Sequence, residues 1–102
     1  MTATLTVTRG NLYLAKETCD HHLGGLSAVV LQRRGDDLVI LPVRHVPARG
    51  YVLKQRNVRG DRVVSAGDFS RSQGLHDAGE RHAPFRWDAD MAALVAPAIF
   101  RA

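Results

Sequence analysis

The sequence predicts an α+β fold: a small, mostly antiparallel twisted sheet of five or six short strands, packed with two or three short helices. Three observations carry this. Four Arg-Gly pairs, Arg9-Gly10, Arg34-Gly35, Arg49-Gly50 and Arg59-Gly60, each precede an apolar run within a few residues, and glycine is the usual residue where a tight turn needs positive φ. Those runs are rich in β-branched residues, as strands are. Between and after them, Asp68 and Asp88 stand at the head of stretches that read as short helices, because an aspartate side chain accepts the free N–H groups of a first turn.

Taken in order, residues 4–8 alternate threonine with Leu5 and Val7, the pattern of a half-buried strand. Leu12 and Leu14 fit a return strand after a turn at Arg9 to Asn11. Leu12, Ala15, Cys19 and Leu23 also recur at helical spacing, so a hairpin followed by a helical turn over about Thr18 to Leu23 is expected, stopped by Gly24-Gly25. Ala28 to Leu31 and Leu38 to Val43 flank Arg34-Gly35-Asp36-Asp37. Both are apolar on successive residues, so the central hairpin is expected to be covered on both faces, with Val30, Leu31, Val39, Ile40, Leu41 and Val63 in the core. Pro42 has no N–H to give and belongs at a strand end or an open edge. Tyr51 to Gln55 and Asp61 to Ser65 form a second hairpin around Asn57 to Gly60. A short helix runs from Asp68 to Gln73, a polar mobile segment from Leu75 to Pro84, and a short strand holds Phe85 and Trp87. A terminal helix capped by Asp88 then presents Met91, Leu94 and Val95 to one face of the sheet, up to Pro97.

The composition bounds the rest. The 102 residues are 45% hydrophobic and 24% charged, the range of one globular domain spanning residues 1–102. The single cysteine excludes an internal disulfide framework. The start of the chain lacks the apolar core of a signal peptide, and no run approaches the ~20 apolar residues that span a bilayer, so a cytoplasmic location without membrane contact is expected. Net charge is +4, but all cations except Lys16 and Lys54 are arginine, and alanine, valine and glycine are plentiful. A GC-rich bacterial genome produces that bias without selection for binding, which discounts the charge as evidence for nucleic acid.

Four constellations are candidates for chemistry. Cys19-Asp20-His21-His22 is the densest set of potential ligands and nucleophiles. Zinc is usually held by two spaced pairs, whereas these residues are contiguous and their side chains diverge, so no metal site is assigned. Cys19 is expected to be a semi-buried structural thiol. Cys19 and His22, with His45, His76 and His82, remain the candidates for catalysis, the last two beside Asp77 and Glu80 in a polar loop where imidazole and carboxylate exchange protons near neutral pH. Arg44, His45 and Arg49 make a candidate anion pocket. Lys54, Arg56, Arg59 and Arg62 lie on the second hairpin, where alternation puts Lys54 and Arg56 on one face but gives no continuous phosphate track. Binding residues are therefore assigned to Arg44, His45, Arg49, Lys54, Arg56 and Arg59, and no cofactor motif is present. The expected function is a small accessory or binding domain acting by protein–protein contact, with a protein partner or a second copy. The alternatives are a small enzyme using histidine with Asp or Glu in a pocket, with or without a metal, and a basic nucleic-acid-binding module.

Overall fold

In the computed structural model, residues 3–18, 28–44, 50–58, 60–74 and 80–100 are described. Among them eight strands form a closed antiparallel barrel: β1 (Ala3–Thr8), β2 (Asn11–Leu14), β3 (Ala28–Arg34), β4 (Asp37–Val43), β5 (Tyr51–Gln55), β6 (Arg62–Ser65), β7 (Arg81–Asp88) and β8 (Ala93–Ala96). Their order around the barrel is β1-β2-β6-β5-β3-β4-β8-β7, closed by β7 against β1. The described helices are α1 (Gly67–Ser72) and a helical turn at residues 16–18. This corrects the α+β reading: the sheet is not layered against helices but wraps on itself, and its own inward side chains cover the inner face.

The barrel closes because alternation holds on almost every strand. Leu5, Val7, Leu12, Leu14, Val29, Leu31, Leu38, Ile40, Leu53, Val64, Phe85 and Leu94 all belong to one inward cluster. Side chains fill the lumen, as expected for a small barrel. Outward positions on β1 and β7 are Thr4, Thr6, His82 and Arg86, the reverse of the apolar outer band of a lipid-facing barrel. No described helix is long and apolar enough to cross a membrane.

The largest correction lies at residues 88–96, which form a β-hairpin and not a capped helix. The Asp88 carboxylate does cap a chain reversal: its Oδ1 accepts from the N–H of Asp90 at 3.0 Å and of Met91 at 3.1 Å. The reversal leads into β8, where Leu94 and Ala96 point in while Ala93 and Val95 point out. Both sets are buried because Val39, on the outer side of β4, packs against Ala93 and Val95, with Leu41 and Met91 beside them. Two-sided burial overrides alanine's helix preference here. Residues 81–84, expected in a polar segment, are the start of β7, and residues 75–79 lie outside the described ones, as does most of the helical turn expected to end at Leu23.

The expected hairpins hold. Arg9 and Gly10, at φ 51° and 84°, form a two-residue turn closed by the Thr8–Asn11 pair, the primed geometry whose twist matches the flanking strands. Gly35, at φ 63°, opens the β3–β4 turn. Pro42 lies past the last β4–β8 pair, where its missing N–H interrupts no ladder. Of the expected core, Leu31, Val39 and Ile40 are buried, whereas Val30, Leu41 and Val63 point outward and are only half-buried. At one end of the barrel lie the β1–β2 and β3–β4 turns, α1 and residues 97–100. The N–H of Ala66 and the Ser70 hydroxyl both reach the Gly10 carbonyl, and the N–H of Phe100 reaches that of Asp36.

Candidate functional site: a groove between β3 and α1

The wall of the barrel is not uniform. β3 pairs with β4 along seven positions, from Ala28–Val43 to Arg34–Asp37. On its other edge it pairs with β5 only at Ala28–Val52 and Val29–Tyr51. Beyond Val29, on the side called the seam below, the described residues end at Gly50, and residues 45–49 lie outside them. In a two-residue hairpin the pair flanking the loop exchanges both backbone hydrogen bonds, and every second pair repeats this. Arg34, Gln32 and Val30 therefore turn their N–H and C=O groups toward β4. Leu31 and Arg33 turn theirs toward the side on which β5 pairs with Ala28 and Val29.

Across the seam stands α1, which leaves β6 at Ala66 and is held by its bonds to Gly10. The groove between them has a volume of about 1070 Å³. Leu31, Tyr51 and Phe69 supply its apolar surface, and Gln32, Ser72 and Gln73 line it with amides and a hydroxyl. Arg33 forms one end. Its guanidinium lies 4.7 Å over the Phe100 ring, donates to the Gly35 carbonyl at 2.7 Å and to Gln73 Oε1 at 3.4 Å, and stands 3.7 Å from Asp36. Phe100 in turn meets Phe69 edge to face, centroids 6.3 Å apart. On the far wall Asp68 pairs with Arg71. The charges are thus internally matched, and the groove is built for shape and hydrogen bonding more than for net charge.

The hairpin that the sequence singled out is a different kind of feature. At its tip Asn57 Oδ1 accepts from the N–H groups of Gly60 and Asp61, each at 3.1 Å, and Asn57 Nδ2 donates to Asp61 Oδ2 at 3.0 Å. The buried Asp61 also accepts the N–H of Lys16 at 2.9 Å, which ties the tip to the helical turn after β2. Gly60, at φ 106°, lies against the Lys16 stem, so a side chain there meets both strain and crowding. Arg56 is laid over the Tyr13 ring at 4.5 Å, so it uses an aromatic face that a nucleobase would need. Lys54 is exposed on the outer face beside Val63.

The other predicted residues do not converge with these. His82 is outward on β7, with Nδ1 3.1 Å from the Thr6 hydroxyl and Nε2 3.6 Å from Glu80. Arg44 is exposed after β4, separated from β5 by β3 in the barrel order. Cys19, His22, His45, Arg49, Arg59 and His76 lie outside the described residues. Among the described residues no three His, Cys, Asp or Glu side chains are grouped to hold a metal ion. The seam residues were missed by the sequence reading, although one signal was available: after Leu31 the β3 run turns abruptly polar at Gln32-Arg33-Arg34 while its partner β4 stays apolar. In comparisons with known protein families, curated proteins and solved structures, nothing matches this chain.

Proposed function

We propose that this chain is a small accessory or binding domain that acts by protein–protein contact, with the seam between β3 and α1 as its contact site. One observation carries the reading. Among the described residues, a groove between β3 and α1 joins apolar surface from Leu31, Tyr51 and Phe69 to the polar side chains of Gln32, Ser72 and Gln73. Side chains fill the interior, so recognition falls to the outside, and concave sites with an apolar surface and a few fixed polar groups are where binding concentrates. Internally matched charges at Arg33–Asp36 and Arg71–Asp68 favour a polypeptide ligand over a polyanion.

A photoreactive side chain placed at Ser72 in the groove, with a control at Thr4 on the outer face of β1, tests this in lysate from the native host. The expected result is one discrete protein adduct from position 72 and none from position 4. Equal labelling from both positions, or none from 72, overturns the reading.

A further inference from the structure

The end of the barrel away from α1 carries a second surface, the tip of the β5–β6 hairpin. Leu14 pairs with Arg62 where β2 ends, so the tip projects from the end opposite the β1–β2 turn and α1. Val58 at its apex is 99% exposed, the most exposed large apolar side chain among the described residues. A single valine on a loose loop would carry no information, but this tip is locked. Besides the two bonds that Asn57 Oδ1 accepts, the Gln55 side chain donates to the Asn57 carbonyl at 2.7 Å and the Arg56 N–H to that of Asp61 at 2.6 Å. The apex is held out ready-made, and contact there costs little ordering.

Charge around the apex has one sign. Lys54 and Arg56 are exposed and Arg62 is half-buried, and Lys16 joins them from the helical turn that Asp61 ties to the tip. The hairpin's only carboxylate, Asp61, is buried. Glu17 beside Lys16 offsets one cation. Asp88 and Asp90, the other described carboxylates at that end, lie in the β7–β8 turn, across the ring from β5 and β6.

We propose that the tip docks the domain on an anionic lipid surface, with Val58 entering the headgroup region and Lys54, Arg56 and Arg62 meeting the lipid anions. An apolar apex in a cationic collar answers both demands of such a surface. A nucleic acid offers phosphates but no use for the valine, and the Tyr13 ring on which a base would stack lies under Arg56. A protein socket is matched less well, since valine is under-represented among the residues that anchor interfaces. This is attachment to a surface, not a span, and it rests on where the cations stand, not on how many the chain has. One apolar side chain and these cations make a weak, reversible contact, half-saturated at roughly millimolar lipid. The contact lies at the far end of the barrel from the groove and does not depend on it.

Sedimentation of the full chain with vesicles tests this. Binding is expected with mixed phosphatidylserine–phosphatidylcholine vesicles and not with phosphatidylcholine alone. It is expected to fall steeply as salt rises from about 0.1 to about 1 M, which shortens the Debye length from about 10 to about 3 Å. Lys54→Gln and Arg56→Gln are each expected to weaken it about fivefold, and Val58→Asn about tenfold. Arg9→Gln, the same charge loss at the opposite end, is expected to leave it unchanged. Val58→Trp places an indole at the apex, whose emission brominated lipid is expected to quench while sparing that of Trp87 in the unaltered chain. No binding to the anionic vesicles, equal binding to both kinds, or equal loss from Arg9→Gln and Lys54→Gln overturns the proposal. So does an unquenched apex indole in the bound protein. Tighter binding to single-stranded DNA than to the vesicles overturns it in favour of a polyanion site.

Discussion

β3 and β4 are the two strands of one hairpin, zipped along the same seven pairs, yet they end in opposite conditions. β4 is covered on both faces and, over Leu38 to Ile40, paired on both edges: Leu38 and Ile40 face the lumen, Val39 faces out and packs under β8's Ala93 and Val95. β3 begins in the same way at Ala28 and Val29, then exposes Gln32, Arg33 and Arg34 beside the groove that faces α1. The difference teaches that strand pairing alone does not make a barrel wall. Two strands of one hairpin meet different surroundings: the outer face of β4 is packed under β8, and the outer face of β3 turns polar at Gln32.

The most damaging way to probe the closed half is Ile40→Ala. The side chain is fully buried, and its loss is expected to cost about 2–5 kcal/mol in urea or thermal unfolding. A loss below about 1 kcal/mol would place Ile40 outside the core and erase the contrast between the strands. The sharper test uses paired outward positions. Val39→Thr keeps the shape but buries a hydroxyl outside the lumen, with an expected cost of about 1–3 kcal/mol. Gln32→Thr, its cross-strand neighbour, is expected to stay within about 0.5 kcal/mol, as exposed substitutions do. Equal costs would mean that the outer side of β4 is as wet as the seam.

β5 runs from the groove at Tyr51 to the locked tip beyond Gln55, so one strand joins the two features. Asn57→Ala removes the acceptor for Gly60 and Asp61 and the donor to Asp61, at an expected cost of about 1–2 kcal/mol, since a net hydrogen bond contributes about 1 kcal/mol. Exchange at Gly60 and Asp61 should accelerate while Leu31 and Arg33 are unchanged. Coupled acceleration at the seam would show that the two ends are one unit.

The smallest effect concerns acid. Asp88's carboxyl is held below its ordinary value of 3.8, first by the Met91 N–H, then by Arg86 and the Asp90 N–H, against an opposing effect of burial. Because its folded pKa is depressed, the contribution of this group is complete above the unfolded value and is lost as pH falls through the lower folded one. Asp88→Asn should therefore flatten the acid limb of the unfolding curve below about pH 4, and leave the neutral region nearly unaltered if the amide oxygen keeps the same two bonds. An unchanged acid limb would remove Asp88 from the account.

The strands were legible because alternation is a local signal: Leu5 and Val7, or Phe85 and Trp87, declare their faces within a few residues. The turns were legible from Gly10, Gly35 and Gly60. What was not legible depends on distant partners. Residues 93–96 read as helix because alanine and an aspartate cap favour it locally. Only the presence of Val39 on one side and the lumen on the other makes an extended segment the better solution. Closure of β7 on β1 left no mark within either strand, so a layered sheet and a barrel had the same signature. The seam was hidden for a related reason. It lies between β3 and α1, two segments distant in sequence, and the polar turn at Gln32 was visible without its consequence.

The pairing of β1 with β7 joins Ala3 to Phe85 and Val7 to Arg81, so almost the whole chain lies between the two strands that shut the ring. Loop closure over such separations is entropically slow, and proteins dominated by distant pairings fold in milliseconds to seconds. Closure is then the natural last step in time. Until it happens β1 and β7 each carry a bare edge with apolar side chains on one face, the kind of surface that recruits the wrong neighbour. The ribosome makes β1 well before β7, so the nascent chain carries β1 unsealed until β7 emerges, and the alternating threonines of β1 keep its other face wettable while it waits.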